Sequence, residues 1–185
     1  KAEGSLGHYP DGTMVCVENT ANRGGGTCYS QDTLDAIAAT AHEHDCVIHM
    51  DGARIFNAAI KTKTPIDRML RDFDSVSICL SKGLGAPVGS LLVGSQEFIA
   101  RASRWRKLFG GGMRQSGFLA ACGLFALENN IERLAEDHNR AYHLAAAINK
   151  MNGFSIDLSS VETNMVYIDS DMGAKKLMSE LNKKI

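Results

Sequence analysis

The octapeptide VIHMDGAR (residues 47–54) and the undecapeptide SICLSKGLGAP (residues 77–87) decide the fold of this chain. Residues 47–50 are a short β-branched and apolar run that breaks at Asp51-Gly52, and residues 75–80 are a second that breaks at Ser81-Lys82-Gly83. Runs of this length bounded by turn residues read as strands buried in a sheet. Each presents one ionisable side chain just past its last apolar residue. Ligands of open α/β sheets bind beyond the carboxyl ends of the strands, so Asp51 and Lys82 fall where a ligand sits. The spacing of 31 from Asp51 to Lys82 holds one loop, one short helix and one strand, which is about one crossover unit.

The flanking sequence extends this pattern. Ser30 caps a helix running to about residue 44, with Leu34, Ile37, Ala38 and Ala41 on one face, and residues 13–17 form a buried strand ending at Glu18-Asn19-Thr20. Strand, helix, strand in this order predicts right-handed parallel crossovers. Arg23-Gly24-Gly25-Gly26 is a flexible turn, but no helix follows it at the spacing of a phosphate-binding loop. Thr64-Pro65, with Asp67 two residues on, starts a short helix with proline at its first position. Only residues 83–89 separate the lysine-bearing strand end from the apolar run at 90–93. A parallel return needs a dozen or more residues, so that neighbour must run antiparallel.

Ser95 caps a helix through about residue 108 that carries Arg101, Arg104, Arg106 and Lys107, by itself a solvated basic face, and the glycines at 110–112 end it. Residues 116–127 are apolar nearly all round, which predicts a buried helix. A long helix follows from 131 to about 151, with Leu134, His138, Ala141 and Ala145 in step; His138 and His143 read as structural residues, not ligands. Residues 154–158 and 165–169 alternate as strands, and a last helix begins near Gly173-Ala174.

With 185 residues and 44% hydrophobic content the chain can bury one good core, and it holds no apolar run of the roughly eighteen residues that a membrane span needs. A net charge of −1 excludes a long-range field favouring nucleic acid or membrane, and a small polar substrate or a protein partner is the natural expectation. Cys16, Cys28, Cys46, Cys79 and Cys122 are widely spaced and read as reduced, packed thiols of a cytoplasmic setting, not as a disulfide frame or a metal site. The start at Lys1 carries no targeting signal, and the ends at Lys1 and Ile185 read as cuts in a longer chain.

An amine and a carboxylate on neighbouring strand ends have a joint use: the lysine forms a Schiff base with pyridoxal 5'-phosphate, and the aspartate holds the proton on the pyridine nitrogen. The two residues alone are equally readable as a surface lysine and a turn-forming aspartate. An imine-forming lysine must be deprotonated part of the time, which predicts burial of Lys82 between residues 78–80 and the glycine-rich turn.

The longer wording decides between them. HMDGARIFNAAI, DSVSICLSKGLGAPVGSLLVGSQEFI and GGGMRQSGFLAACGLFALE resemble the threonine aldolase family of fold-type-I pyridoxal-phosphate enzymes, most closely the low-specificity kind. ENTANRGGGTCY (residues 18–29) and VETNMVYI (residues 161–168) extend the resemblance over most of the chain. It implies a mostly parallel α/β sheet with one antiparallel strand, residues 1–127 belonging to the large cofactor-binding domain and 128–185 beginning a small α+β domain. It implies cleavage of the Cα–Cβ bond of L-threonine or L-allo-threonine to give glycine and acetaldehyde, by a homo-oligomer.

Carried over residue by residue, the resemblance implies Lys82, Asp51 and His8 as catalytic, with His8 near the substrate hydroxyl. Arg54 would contact the substrate carboxylate, and Ser81, Lys107 and Arg114 would join Lys82, Asp51 and Arg54 around the cofactor, the last two reaching across a subunit boundary. Ala21 stands where the family usually carries a histidine in ENTHN. The family's phosphate-cradling and ring-stacking residues precede Lys1 and a carboxylate-binding arginine follows Ile185, so residues 1–185 alone are expected to bind the cofactor weakly and turn over poorly. The local spacing leaves open a transaminase, a β-eliminating lyase, or a non-catalytic relative that uses the apolar helix at 116–127 for assembly.

Overall fold

The computed structural model describes residues 12–183. A four-stranded sheet in the order β1-β2-β3-β4 is its centre: β1 (Met14–Glu18), β2 (Val47–Asp51) and β3 (Ser75–Cys79) run parallel, and β4 (Ser90–Gly94) is antiparallel to β3. The short connection after Lys82 thus returns as its length requires. Helix α1 (Gln31–Glu43) joins the first two strands, and Ser30 caps it by accepting from Thr33 N at 3.2 Å. Two helices, α2 (Ile55–Thr62) and α3 (Ile66–Leu70), join the next two. The sequence predicts one helix here. IFNAAIKT buries Ile55, Asn57 and Ala58 and forms its own helix, which stops at Lys63 in the left-handed region (φ 55°). Pro65 then stands one place earlier than expected, as the N-cap of α3.

Alternation along the strands sorts the sheet into two faces. Val17, Ile48, Met50, Val76 and Ile78 point to one face and are buried against Leu34, Ala38 and Ala41 of α1, Ile55 and Ala58 of α2, and Met69 of α3. Glu18, Asp51 and Ser77, paired in register, share the other face with His49, Ser75 and Cys79. Asp74 fixes that register: its Oδ2 accepts from Ile48 N at 2.7 Å, and its own N–H donates to Ile48 O at 3.0 Å. Arg68 of α3 forms a two-pronged ion pair with Asp35 of α1, and the guanidinium holds the Asp35 carboxyl well below the usual carboxylate range.

Helix α4 (Gln96–Leu108) is capped by Ser95, which accepts from Phe98 N at 3.2 Å. Its basic residues are exposed, as a solvated face requires. Helix α5 (Gly117–Asn129) corrects an expectation. Only Gly123 and Ala126 are buried, whereas Phe118 is 82% and Phe125 is 62% exposed. An all-round apolar helix has no marked face, and the described residues offer one surface to pack it on, the turn after Lys82. Helix α6 (Leu134–Ile148) is shorter than the sequence suggests, because residues 131–133 form a preceding turn closed by Leu134 N donating to Ile131 O at 3.1 Å.

The two late strands are also shorter. β5 (Phe154–Ser155) pairs with β6 (Asp169–Ser170) over two residues only. Asp157 diverts the chain by accepting from Ser159 N at 2.9 Å and capping a 3-10 turn, Leu158–Ser160. The alternating stretch that follows packs on the loop after β1 instead of joining a ladder. Thr163 Oγ1 donates to Gly26 O at 2.6 Å, Tyr167 Oη donates to Asn22 O at 2.7 Å, and Cys28 N donates to Glu162 Oε2 at 3.0 Å. Helix α7 (Ala174–Asn182) closes the described residues. The five cysteines are free, and Cys16 is exposed, not packed as the sequence suggests, because it lies on the open face of β1 beside His49. Among the described residues no helix is long and apolar enough to cross a membrane.

Candidate active site

The ends of β1 and β2 meet β3 in one row, Glu18, Asp51 and Ser77. Backbone bonds lock the row: Asn19 N donates to Asp51 O at 3.1 Å, and Gly52 N donates to Ser77 O at 2.8 Å. Gly52 is required by that approach, since a Cβ there would lie 2.9 Å from Val76 Cγ2 and 3.0 Å from Ser77 O. The Asp51 side chain is exposed and one carboxylate oxygen accepts from Ala53 N at 3.1 Å; among the described residues no hydrogen bond reaches the second. Arg54 is the N-cap of α2, so it stands at the same edge as Asp51.

Lys82 follows β3 in a tight turn. Lys82 O accepts from Gly85 N at 2.9 Å, and Leu80 N and O bond to Gly89 O and Ala86 N at 2.9 and 3.0 Å. Leu80, Leu84 and Ala86 are buried against Ala126 of α5 and Leu134 of α6, so the turn has a rigid apolar floor. Lys82 and Ser81 themselves are exposed. This corrects the expectation of a buried lysine: the apolar neighbours in sequence point down into the floor, which turns the amine outward. The structure therefore brings Asp51, Arg54, Ser81 and Lys82 to the carboxyl edge of adjacent strands β2 and β3.

Lys107 and Arg114 are exposed in and just after α4, and among the described residues no hydrogen bond or ion pair joins either to Asp51, Arg54 or Lys82. His8 lies outside the described residues. Three polar residues at the end of β1 carry no role in the sequence reading. Glu18 closes β1 as Asp51 closes β2, and that parallel was the available signal; its Oε1 accepts from Asn22 N at 3.4 Å. Asn19 and Thr20 are wholly buried beside it, and Asn19 Oδ1 and Thr20 Oγ1 have no hydrogen-bond partner among the described residues.

A primary amine in the turn after β3 and a carboxylate closing the adjacent parallel strand β2, with Arg54 as the N-cap of the helix that follows, are the residue types that hold a pyridoxal-type cofactor: an imine-forming nitrogen, an acceptor for a ring N–H, and a cation for a carboxylate. The exposure of Lys82 and Asp51 leaves both groups reachable. The fold and this edge define an α/β chain of the pyridoxal-enzyme architecture.

The chain belongs to the beta-eliminating lyase family, which it matches over residues 1–171. It is 44% identical over 177 residues to low-specificity L-threonine aldolase 1 of Arabidopsis thaliana, covering 96% of this chain and 49% of that protein. It is 43% identical over 161 residues to the low specificity L-threonine aldolase of Escherichia coli strain K12, covering 87% of this chain and 46% of that one. A crystal structure from Listeria monocytogenes, of a candidate L-allo-threonine aldolase, superposes with a TM-score of 0.77 at 26% identity over 84% of this chain and 43% of the other. The chain thus spans about half the length of these relatives.

Proposed function

We propose that the full-length protein carrying this chain cleaves L-threonine or L-allo-threonine to glycine and acetaldehyde with pyridoxal 5'-phosphate as cofactor. The observation that carries this reading is the placement of Asp51 and the Lys82 turn at the carboxyl edge of adjacent parallel strands, with Arg54 beside them. The naming of its relatives as threonine aldolases supports the choice of reaction.

When bound, the cofactor supplies an electron sink for the bond broken at the substrate Cα. Lys82 Nζ, on an exposed turn, is the nitrogen that would hold it. Asp51 would accept a charge-assisted hydrogen bond from the cofactor's ring N–H and so keep that nitrogen protonated. Arg54 pairs with the substrate carboxylate and so fixes which Cα bond stands in line for cleavage. His8 is the proposed base for the hydroxyl proton, and Ser81, Lys107 and Arg114 complete the cofactor contacts, the last two in a homo-oligomer. The exposed apolar side chains of α5 support such an assembly. Residues 1–127 serve as part of the large domain and 128–185 begin a second, a division supported by the separate apolar cluster of Ala141, Ala145, Ile156 and Val161. A cytoplasmic location accords with five free thiols.

Reducing the full-length protein with borohydride in the presence of the cofactor, then mapping the adduct by mass spectrometry, tests the assignment. Modification at Lys82, with glycine and acetaldehyde formed from threonine in equal amounts, is expected. An adduct at another lysine, or keto-acid formation instead, overturns it.

A further inference from the structure

Asn57 and His138 belong to no step described above, yet they meet directly beneath the lysine turn. Asn57 is 3% exposed within α2, between Phe56 and Ala58. A buried carboxamide in a helix costs stability unless it is bonded, and alanine would form the same helix better. His138 Nε2 donates to Asn57 Oδ1 at 2.9 Å, joining α6 to α2. Burial pushes the His138 imidazole below its ordinary pKa, Lys61 adds to this and Asp137 opposes it. With the ring neutral, its one proton sits on Nε2, from which it donates to Oδ1.

The other end of the carboxamide faces the turn. A Cβ on Gly83 would stand 4.0 Å from Asn57 Nδ2 and 2.8 Å from Leu134 Cδ2, so the residue next to Lys82 rests on α2 and α6 together. Asn130 Nδ2, at the end of α5, donates to Leu84 O at 2.7 Å and holds the far side. The position of the Lys82 backbone therefore depends on the spacing of α2 and α6. Arg54, three residues past Asp51, is the N-cap of α2, so the helix that carries Asn57 also starts beside the aspartate side of the site.

We propose that Asn57 and His138 are a positioning pair for Lys82, their hydrogen bond fixing the floor of the lysine turn and thereby the placement of the amine relative to Asp51. The proposal rests on the reading of Lys82 as the cofactor-holding lysine. Neither residue touches cofactor or substrate. Misplacement of a reacting group by about 1 Å can cost on the order of a hundredfold in rate, so a brace at this distance matters to the chemistry.

The test compares the full-length wild type with His138→Gln, His138→Ala and Asn57→Ala, in two measurements. The first is amide hydrogen exchange at Gly85 and Ala86, whose N–H groups close the turn; the second is the rate of borohydride trapping of pyridoxal phosphate at Lys82. Exchange at Gly85 and Ala86 should rise about tenfold in both alanine variants, while amides of the β1–β2 ladder stay protected, and His138→Gln, which retains a donor, should stay near wild type. Trapping at Lys82 should slow in the same order. If His138→Ala does not fold, Asn57→Ser, too short to reach His138, carries the same expectation. Unchanged exchange at Gly85 and Ala86, or a rise shared equally by the whole chain, overturns the proposal. If exchange responds as stated but the wild type traps no cofactor at Lys82, the positioning of the turn stands and the cofactor assignment falls.

Discussion

Asp51 stands directly opposite Ser77 in the parallel ladder, and the amide of the next residue, Gly52, donates to Ser77 O at 2.8 Å. Adjacent strands are thus pinned at the point where one delivers the carboxylate and the other runs on to the lysine. A Gly52→Ala substitution would place Cβ within 3.1 Å of Val76, Ser77 and Ile55 at once, two of the contacts being with β-branched side chains and one with backbone. Overpacking of this kind costs about 1–3 kcal/mol. The expected result in the full-length protein is a lowered thermal midpoint together with a loss of the proposed aldol cleavage larger than the loss of folded protein, because the strand ends must part. Unfolding curves and rates measured on the same preparation check it; a variant as stable and active as wild type contradicts it.

Asp51→Asn separates charge from shape. The side chain is exposed, and its one hydrogen bond among the described residues, from Ala53 N at 3.1 Å, can be taken over by the amide oxygen. Stability should therefore change by less than about 0.5 kcal/mol, as for most surface substitutions. If Asp51 has the proposed role, the rate should fall by a factor on the order of a hundred or more, since a charge-assisted bond worth about a few kcal/mol to the reacting state is lost. Equal losses in melting and turnover would contradict this assignment.

The parallel core was legible because each strand ends abruptly. VIHMDG and SICLSKG change from apolar to turn residues at one point, and the seven residues between Lys82 and Ser90 leave no room for a parallel return. Burial was less legible. An apolar run such as GFLAACGLFAL carries no phase, so its sequence says that a face is wanted on every side without saying which sides the chain itself supplies. The alternation of VETNMVYI has the period of a strand, but Glu162, Thr163 and Tyr167 spend it on the amide and carbonyl groups of the loop after β1. Long-range partners of this kind leave no local trace. The same is true of Asn57 and His138, 81 positions apart, each unremarkable within its own helix.

Gly83 and Leu134 should be energetically coupled. A Cβ on Gly83 would meet Leu134 Cδ2 at 2.8 Å, and Leu134 is wholly buried in the floor of the lysine turn. Leu134→Ala alone should cost about 2–5 kcal/mol through the cavity it leaves. Gly83→Ala alone should lower stability by overpacking, and the pair should cost less than the two singles added, by about 0.5 kcal/mol or more, because the new methyl occupies space the leucine gave up. A double-mutant cycle from denaturant unfolding measures it; strict additivity would mean that the turn does not rest on Leu134.

Cys28 provides a titration inside the contact between the loop after β1 and the segment carrying Glu162. Burial, followed by the charge and hydrogen bond of Glu162, pushes the thiol up from 9.0 to about 12, with Lys61 opposing. The neutral thiol is the form the folded state favours. Its contribution to stability is fully present below pH 9, and it is lost as pH rises from there through about 12, because the unfolded chain releases its proton first. Glu162→Gln removes the two smaller upward causes and leaves burial in place, so the thiol should ionise at lower pH while staying above its ordinary value. Peptide-resolved iodoacetamide labelling between pH 8 and 11 reads this directly: Cys28 should label slowly in wild type and faster in Glu162→Gln, with Cys16, already exposed, unchanged between the two. Identical Cys28 profiles in the two proteins would show that the carboxylate does not act on the thiol, and that the contact between these segments is looser than the 3.0 Å bond from Cys28 N to Glu162 requires.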